Sequence, residues 1–386
     1  MKIGIPTETH PAETRVAAVP ETIRKLTSMG LEPVVQAGAG EKAFCTDGEY
    51  EQAGARIAAD AGAVFQAGQI ILKVGPPSVE GADGGEVSRL ASGTVLVALL
   101  APARSGPLVR RLAEGGVTSF SLDMIPRITR AQSMDVLSSM STLAGYKAAL
   151  LAANELAKIL PMMMTAAGTI RPATALVIGA GVAGLQAIAT LKRLGAVVTG
   201  VDVRPAAAEQ VESLGAKFVV LEADHSAQDA GGYATDLGED FYRQEQEVLA
   251  PHVQRADMVI TTALIPGRAA PILLTKEMVE SMHPGSVIVD LAAAGGGNCS
   301  LTKADERVAH GGVAVLGPTN LPGRLPIHAS VMFSRNAATF LGEIVSDGEV
   351  RVDRDNEVVG GTLITHDGEV VHEAVRKAIE DSEVQP

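Results

Sequence analysis

The stretch PRITRAQSMDVLSS, residues 126–139, gathers side chains that can hydrogen-bond a ligand from several directions. Its guanidinium, amide, carboxylate and hydroxyl groups belong to Arg127, Arg130, Gln132, Ser133, Asp135 and Ser138. It lacks histidine, the commonest general base, and cysteine, a strong nucleophile. A polar loop of this kind is either a solvated connection, which is the commoner case, or a site that works by hydrogen bonding. Ser133 and Asp135 are also candidate N-caps for a following helix.

A glycine-rich turn, GAGVAG at residues 179–184, lies between the apolar strand ALVI and a helix. In a dinucleotide site Gly179 permits the tight turn, Gly181 lets the backbone approach a pyrophosphate, and Gly184 allows close helix–strand packing. The helix N-terminus adds N–H groups and partial positive charge. Glycines at this spacing alone are weak evidence, but the strand–turn–helix context supports them. The sequence therefore predicts dinucleotide binding.

The strand after this turn, VVTGVDV, ends with Asp202, which follows Gly184 by 18 residues. A carboxylate at this place can hold a ribose diol and repel a 2′-phosphate. Arg204 lies close by, and a guanidinium there could instead accept a 2′-phosphate. The pattern favours NAD over NADP, but Arg204 leaves NADP as an alternative.

Two basic residues, Arg15 in ETRVAAVP and Lys73 in IILKVGPP, are expected near strand ends, on the side where open α/β sheets bind ligands. The alternative for each is a surface charge beside a turn. The 8 histidines have no metal or triad spacing, and Cys45 and Cys299 are the only cysteines. Neither a metal site nor a disulfide framework is predicted, and a reducing compartment is the simpler interpretation.

The chain of 386 residues is long enough for two to three domains. Its cores must be built from aliphatic residues, because 46% of residues are hydrophobic but only 3% aromatic. Short apolar strands alternate with amphipathic helices in two series, which predicts an α/β fold of two Rossmann-like, doubly wound parallel sheets. A long helix over residues 138–160, ended by Pro161, is predicted to join them.

The predicted first domain comprises residues 1–137 and 325–386, and the second residues 138–324. The C-terminal part contains a helix, SVMFSRNAATFLGEIV, and two apolar stretches of hairpin character that we expect to return to the first domain. Residues 222–243 are acidic, contain a glycine pair and lack strand character. They are predicted to form a mobile surface loop.

Charge and hydropathy limit the location and the partners of the protein. The formal net charge of −13 repels phosphate backbones and argues against nucleic acid as a partner. The N-terminal apolar run is too short for a signal sequence. The apolar window from Ala148 is interrupted by Asn154, Glu155, Lys158 and Pro161, so no membrane span is predicted. We expect a cytoplasmic protein.

Several stretches together resemble the NAD(H)-binding subunit, or domain I, of proton-translocating nicotinamide nucleotide transhydrogenases. They are ETRVAAVP, PRITRAQSMDVLSSMSTLAGYKA, MMTAAGT, VIGAGVAGLQAIATLKRLGA, AGGYA, TTALIPG and GSVIVDLA. The resemblance runs along essentially the whole chain. Its most specific parts are the R-x-x-x-x-Q-x-x-D loop and TTALIPG, which a generic Rossmann protein would lack.

The resemblance implies two Rossmann-like domains joined by long helices, with NAD(H) bound in the cleft on the second. Around the nicotinamide and its ribose it implies Arg127, Gln132, Asp135 and Ser138, the residues we assign to catalysis. The other cofactor-binding positions are Gly179, Gly181, Val182 and Gly184 at the pyrophosphate, Asp202, Val203 and Arg204 at the next strand end, Gly232 and Tyr233 in the closing loop, and Leu264 beside the adenine.

This implied activity explains the composition of the polar stretch. Hydride transfer from NADH to NADP⁺ moves no proton to the substrate, so a histidine acid or base is unnecessary. The step needs two nicotinamide rings held in register and water kept away. An amide, a carboxylate and a guanidinium can hydrogen-bond a carboxamide and a ribose and so fix the rotation of the ring.

The second nucleotide must be bound by another chain, because this sequence has one convincing dinucleotide fingerprint. The resemblance places NADP(H) on a domain of the partner beta subunit and proton translocation in the membrane domain. It implies a homodimeric subunit attached to the cytoplasmic face of the inner membrane through a membrane-spanning anchor subunit. Some relatives continue into membrane helices, whereas this chain stops at Pro386, which resembles the split arrangement.

Two alternatives remain at this point. Alanine dehydrogenases are related and carry basic residues at positions like Arg15 and Lys73, but they place a histidine and an aspartate where this chain has Leu99 and Ala294. The loss of both polar groups should abolish oxidative deamination. The other alternative is a non-enzymatic, NAD-responsive regulatory protein, which a neighbouring gene for an NADP-binding membrane partner would argue against.

Overall fold

The computed structural model describes residues 1–81, 84–221, 239–264 and 269–384. The chain forms two compact units, one of Met1–Met140 with Gly323–Pro386 and the other of Ser141–Pro322. Most of the loop predicted to be mobile, residues 222–243, lies outside the described residues.

The N-terminal part of the first unit alternates strands and helices. Its elements are β1 (Lys2–Ile5), α1 (Pro20–Ser28), β2 (Glu32–Gln36), α2 (Asp47–Gln52), β3 (Arg56–Ala58), α3 (Ala61–Ala67), β4 (Ile70–Leu72), β5 (Val95–Ala98), α4 (Gly106–Glu114) and β6 (Thr118–Ser121). Strands β4 and β5 are buried at every residue, as expected for strands covered by helices on both faces. α2 begins with a capping box between Thr46 and Glu49.

One long helix, α5 (Val136–Glu155), then leads into the second unit. The elements there are β7 (Met163–Thr165), β8 (Gly168–Ile170), β9 (Thr174–Ile178), α6 (Val182–Arg193), β10 (Val197–Asp202), α7 (Ala207–Ser213), β11 (Lys217–Val220), α8 (Glu239–Arg255), β12 (Met258–Thr261), α9 (Lys276–Glu280), β13 (Val287–Asp290), β14 (Arg307–His310) and β15 (Val313–Leu316).

The C-terminal part returns to the first unit. It contains α10 (Pro326–Ile344), β16 (Val345–Ser346), β17 (Glu349–Val350), α11 (Glu357–Thr362), β18 (Leu363–His366), β19 (Glu369–Val370) and α12 (Glu373–Val384). Each of the two apolar stretches predicted to have hairpin character contributes to a hairpin: β16 pairs with β17 and β18 with β19. β18 also pairs antiparallel with β6, with Leu363 opposite Phe120.

Both large sheets have the strand order of a doubly wound fold. The first is ordered β3-β2-β1-β4-β5-β6-β18-β19 and the second β11-β10-β9-β12-β13-β15-β14. Neighbouring strands are parallel except at β18, β19 and β14. In each sheet the order reverses beside the first strand of the series, which is where such sheets bind ligands. The predicted α/β class, with two Rossmann-like sheets, is confirmed.

Helix α5 has different ends from those predicted, residues 136–155 instead of 138–160. It starts earlier because the carboxylate of Asp135 accepts the N–H of Ser138 at 2.8 Å, as an N-cap does. It ends earlier because the following residues are held by other partners. Lys158 pairs with Asp257 at 2.5 Å, and the N–H of Ala157 donates to the carbonyl of Gly285.

By length and composition alone, α5 is apolar enough to cross a membrane, although the sequence predicted no such window. It is the one such helix in the part of the chain that the structure describes. A single helix is weak evidence, because core helices pass the same test. Three of its alanines, Ala148, Ala149 and Ala152, are fully buried in the core of the second unit. This packing explains its apolar composition.

Within the second unit, α5 approaches the first turn of α6 backbone to backbone at Gly145. A methyl carbon added there would overlap the carbonyl oxygen of Ala183. No side chain other than hydrogen fits at this position, because the atoms facing Gly145 are main-chain atoms that cannot rotate away.

We predict that Gly145→Ala lowers the free energy of unfolding by about 3 kcal/mol, because the new methyl group forces α5 and α6 apart. Gly342→Ala is the matched control, since Gly342 lies in α10 with open space at its Cβ position. There the better helix propensity of alanine should be neutral or add up to about 1 kcal/mol. Urea unfolding of both variants measures the difference, and equal effects would contradict the steric argument.

Candidate nucleotide site and a charged cluster

The three glycines of the predicted dinucleotide motif occupy the turn between β9 and α6. Gly179 has a φ of +92°, a left-handed conformation that disfavours other residues. At Gly184 a methyl carbon would overlap the carbonyl oxygen of Gly179, so helix and turn are in backbone contact. At Gly181 an added carbon meets no atom of the described residues within 4 Å. The turn is therefore closed on the protein side and open on the side where a ligand would approach.

α6 begins at Val182, directly after Gly181, and its first N–H groups point out of the turn. Val182 is exposed. The turn lies beside β12, because Thr262 donates its hydroxyl to the carbonyl of Gly179 at 3.1 Å. This is the position where the strand order of the second sheet reverses. A helix N-terminus here offers unpaired donors and partial positive charge to an anion.

Asp202 at the end of β10 is almost completely buried and binds both the glycine turn and Arg204. It accepts the N–H of Ala180 at 2.7 Å. Arg204 donates three further bonds to it, from its main-chain N–H and from Nε and Nη2 of its side chain, at 2.8–2.9 Å. These four bonds use the four acceptor positions of the carboxylate. Sequence reasoning placed the two residues side by side but missed that they form an ion pair.

A second acidic group, Glu245 on α8, lies near Asp202 and was missed in the sequence. It is buried, and burial first and the negative charge of Asp202 second raise its pKa to about 7. The end of β10 therefore holds two carboxyl groups for the one guanidinium of Arg204. Since Asp202 is paired with Arg204 and a pKa of about 7 leaves Glu245 partly protonated at neutral pH, the site carries only a partial negative charge.

The remaining predicted cofactor positions in this unit are only partly described. Val203 is half-buried and Leu264 is exposed, next to the end of β12. Gly232 and Tyr233 lie outside the described residues, as do residues 265–267 of TTALIPG.

In the first unit, the polar stretch before α5 forms a 3₁₀ helix, Thr129–Met134, anchored on α10 and α11. Arg130 donates to Glu343 at 2.9 Å and to Asn356 at 2.7 Å. Asn336 donates to the carbonyl of Ser133 at 2.7 Å. The stretch is therefore a fixed loop and not a loosely solvated connection, and Arg130 has a structural role.

The four residues assigned to catalysis follow one another along this loop. Arg127 and Gln132 are exposed. Asp135 and Ser138 are paired, since Ser138 donates both its N–H and its hydroxyl to the carboxylate. The loop thus combines two outward-facing donors with a carboxylate whose direction is set by the start of α5.

Lys73 follows β4 in the first sheet and is fully buried. Its ammonium contacts Glu86 at 2.9 Å and Glu8 at 3.3 Å. Glu8 also accepts the N–H of Val74 at 2.6 Å, and Glu86 that of Ser78 at 3.0 Å. Burial raises the pKa of Glu8 against the opposing charge of Lys73. Lys73 is therefore neither a surface charge nor an open ligand contact.

Arg15 is similarly engaged. Its Nε and Nη2 donate to the two carboxylate oxygens of Glu13 at 2.7 and 2.6 Å. Burial tends to raise the pKa of Glu13, but the bonds and charge of Arg15 outweigh it and hold the pKa below its ordinary value. The acidic partners of both basic residues were missed in the sequence. Glu13 lies only two residues before Arg15, whereas no local pattern relates Lys73 to Glu8 or Glu86.

Family models account for nearly the whole chain. The model for the N-terminal domain of alanine dehydrogenase/PNT matches residues 4–144, and the model for the C-terminal domain matches residues 148–373. The chain belongs to the alanine dehydrogenase/PNT family. Members of this family bind NAD(H), in agreement with the glycine turn.

Within this family, the chain belongs with the NAD(P) transhydrogenase alpha subunits. It is 47% identical to the first polypeptide of the split alpha subunit of Rhodospirillum rubrum over 381 residues, covering 97% of this chain and 99% of the relative. The crystal structure of transhydrogenase from Sinorhizobium meliloti superimposes with a TM-score of 0.84 at 45% identity, covering 97% and 100% of the two chains. An alanine dehydrogenase of Mycobacterium tuberculosis is 31% identical over 383 residues, 97% of this chain and 96% of the relative.

The family models and the fold divide the chain differently. The C-terminal family model extends to residue 373 and includes α10, β18 and β19. In the structure these elements belong to the first unit, because β18 hydrogen-bonds to β6. Contacts define a folding unit better than sequence order does, so these C-terminal elements are part of the first unit.

We predict that Lys73→Ala lowers the free energy of unfolding by about 3–5 kcal/mol, because it leaves Glu8 and Glu86 buried without their cation. Lys276→Ala is the control. Lys276 forms an exposed pair with Glu280, so its loss should cost less than about 0.5 kcal/mol. Chemical unfolding at neutral pH measures both, and a small effect at Lys73 would show that the cluster is not a structural requirement.

Proposed function

We propose that this transhydrogenase alpha subunit holds NADH at the glycine turn of its second unit and that a hydride passes directly to NADP⁺ on a partner subunit. The observation that carries the proposal is the turn itself. The N-terminus of α6 faces open space at Gly181, at the strand-order reversal of the second sheet. A pyrophosphate is the group that suits unpaired N–H donors at such a place.

At the adenosine end, we propose that Asp202 and Val203 contact the ribose and Leu264 the adenine. Since the carboxylate of Asp202 already accepts four bonds, a ribose diol can bind it only if Arg204 releases at least one. Arg204 then lies beside the ribose and remains a cofactor contact. The carboxylate of Asp202 supports NAD over NADP, because it repels a 2′-phosphate, and Glu245 adds to that repulsion only in its ionised form.

At the nicotinamide end, we propose that Arg127, Gln132, Asp135 and Ser138 orient the ring and its ribose. The bound nucleotide supplies the hydride, two electrons with one proton, to C4 of the acceptor ring. Transfer requires the two C4 atoms about 3–3.5 Å apart. The fixed loop supports this role, because side chains can orient a ring only if their own backbone does not move.

Transhydrogenase alpha subunits work together with other transhydrogenase subunits. We further propose that NADP(H) lies on the beta subunit, that a membrane-spanning anchor subunit holds this chain at the cytoplasmic face of the inner membrane, and that the membrane partner couples transfer to proton translocation. The sequence supports this division, because it contains one glycine-rich dinucleotide motif. Gly232 and Tyr233 are proposed to close over the bound nucleotide.

We also propose that two copies of this chain form a dimer through the β7–β8 hairpin. This two-stranded sheet pairs with no other strand in the described part of the chain. Apolar side chains of the hairpin and of the residue before it are exposed, with Met162 at 63%, Met164 at 78% and Ile170 at 47%. A hairpin of two short strands is not stable alone in water, and an apolar patch of this kind marks an interface.

The competing activity, oxidative deamination by an alanine dehydrogenase, is disfavoured by the ion pairs of the first unit. Arg15 is held by Glu13, and Lys73 by Glu8 and Glu86. A keto acid would have to displace these buried carboxylates, at a large cost. A purely regulatory NAD-binding protein would bind NADH without transferring a hydride to a partner. Stopped-flow measurement with a partner domain distinguishes the two.

We predict that Gln132→Ala reduces the rate of hydride transfer at saturating NADH by roughly tenfold to a hundredfold, because the ring loses an orienting hydrogen bond. The dissociation constant for NADH should change by less than about threefold, which is under about 0.7 kcal/mol. Stopped-flow measurement with an NADP(H)-binding partner domain and a nicotinamide analogue gives the rate, and equilibrium titration gives the affinity.

The control for this variant is Gln210→Ala, since Gln210 is also an exposed glutamine and lies on α7. It should leave both quantities unchanged. Equal losses of rate and affinity in Gln132→Ala would contradict the orienting role. Absence of hydride transfer by the wild-type chain with any partner would refute the proposed function.

We predict that Met164→Lys shifts the chain from dimer to monomer, because a charge at the centre of an apolar interface is not compensated. Phe44→Lys is the control, since Phe44 is 73% exposed but lies in the first unit, far along the chain from the hairpin. Sedimentation velocity at micromolar concentration measures the mass. A dimer that persists in Met164→Lys would place the interface elsewhere.

A further inference from the structure

The carboxylate of Asp290, at the end of β13, is fully buried and organises the loop after that strand. One oxygen accepts the hydroxyl of Thr261 and the N–H of Ala292, both at 2.9 Å. The other accepts the N–H of Asn298 at 2.7 Å and that of Cys299 at 3.0 Å. The backbone at residue 298 is therefore fixed relative to the sheet.

From this fixed position, the side chain of Asn298 reaches the loop that follows the neighbouring strand β12. Its Oδ1 accepts the N–H of Ala263 at 3.1 Å, and its Nδ2 donates to the carbonyl of Ala263 at 2.9 Å. Nδ2 also donates to the carbonyl of Pro271 at 2.9 Å. Asn298 is fully buried. One amide thus satisfies both main-chain groups of Ala263.

Ala263 lies between two residues that face the proposed nucleotide site. Thr262 donates its hydroxyl to the carbonyls of Ile178 and Gly179, at 3.2 and 3.1 Å. Leu264 follows on the other side and is exposed. A carbon added at Gly295, in the loop after β13, would lie 3.6 Å from the Leu264 side chain. A shift of the Ala263 backbone therefore moves both a contact of the glycine turn and the residue proposed to line the adenine.

We infer that Asn298 is a positioning residue for nucleotide binding, which acts by fixing residues 262–264 against the glycine turn. The inference rests on the proposed NADH site of the second unit. Among the described residues, the side chain of Asn298 hydrogen-bonds to Ala263 and Pro271 and to none of the residues proposed to contact the nucleotide. It acts through main-chain hydrogen bonds, so its contribution concerns the affinity for the adenosine and pyrophosphate part and not the hydride step.

Asparagine suits this position because it is short and carries one acceptor and two donors. Aspartate has the same shape but lacks the donors, so it would leave the carbonyls of Ala263 and Pro271 without their partner and place negative charge against them. A buried carbonyl that loses its donor is driven to move toward water or another donor. Asn298→Asp therefore displaces the loop while changing volume very little.

The experiment compares wild type, Asn298→Asp and Asn154→Asp as full chains. Asn154 is exposed on α5. Its variant therefore carries the same change of charge but leaves the hydrogen bonds of Asn298 to the loop intact. We expect Asn298→Asp to weaken NADH and ADP-ribose by the same factor, roughly tenfold or more, which is the loss of one to two hydrogen bonds. The transfer rate at saturating NADH should stay within about twofold of wild type, because the nicotinamide end is untouched. Asn154→Asp should match wild type throughout.

Thermal unfolding identifies the temperature at which each variant is fully folded, and the titrations are done below it. If Asn298→Asp does not fold, Asn298→Ser takes its place, because serine shortens the reach to Ala263 without burying a charge. Unchanged affinity in a folded variant overturns the inference, and so does a loss confined to NADH with ADP-ribose unaffected. A wild-type chain that binds no NADH would instead refute the proposed function.

Discussion

Backbone contact without intervening side chains is the constraint on which the second unit depends. The first turn of α6 lies against the glycine turn at Gly184 and against α5 at Gly145. Any side chain at either glycine would push the helix away from the end of β9. The N–H groups at the start of α6 are the donors proposed to bind the pyrophosphate. The position of that site therefore depends on the absence of a side chain at both glycines.

The two sheets share one strand order, but they differ at the strand ends beside the reversal of that order. In the second sheet this end is open at Gly181. In the first, Glu8 follows β1 and Lys73 follows β4, and both are buried in an ion cluster with Glu86. A ligand that used these charges would have to displace one of the buried partners. The same topology therefore carries the proposed nucleotide site in one unit and a buried ion cluster in the other.

Features fixed by neighbouring residues could be predicted from the sequence. The apolar strands, the glycine turn and Asp202 follow from local patterns of residue type, and the structure has them at the expected places. The edge strand Arg307–His310 was missed, because its side chains lack an apolar pattern. The partners of Lys73 and Asn298 were missed for a different reason. Each depends on segments that meet only after folding, and no spacing rule relates Lys73 to Glu8.

The antiparallel pairing of β18 with β6 has a consequence for the order of events during synthesis. Leu363 lies opposite Phe120, so more than half of the chain separates the two strands. The second unit, residues 141–322, is continuous and can close its core as soon as it leaves the ribosome. The first unit must wait with an uncovered strand edge at β6 until residue 366 has been made. Its exposed edge during that interval is the point at which nascent chains are most prone to pair wrongly.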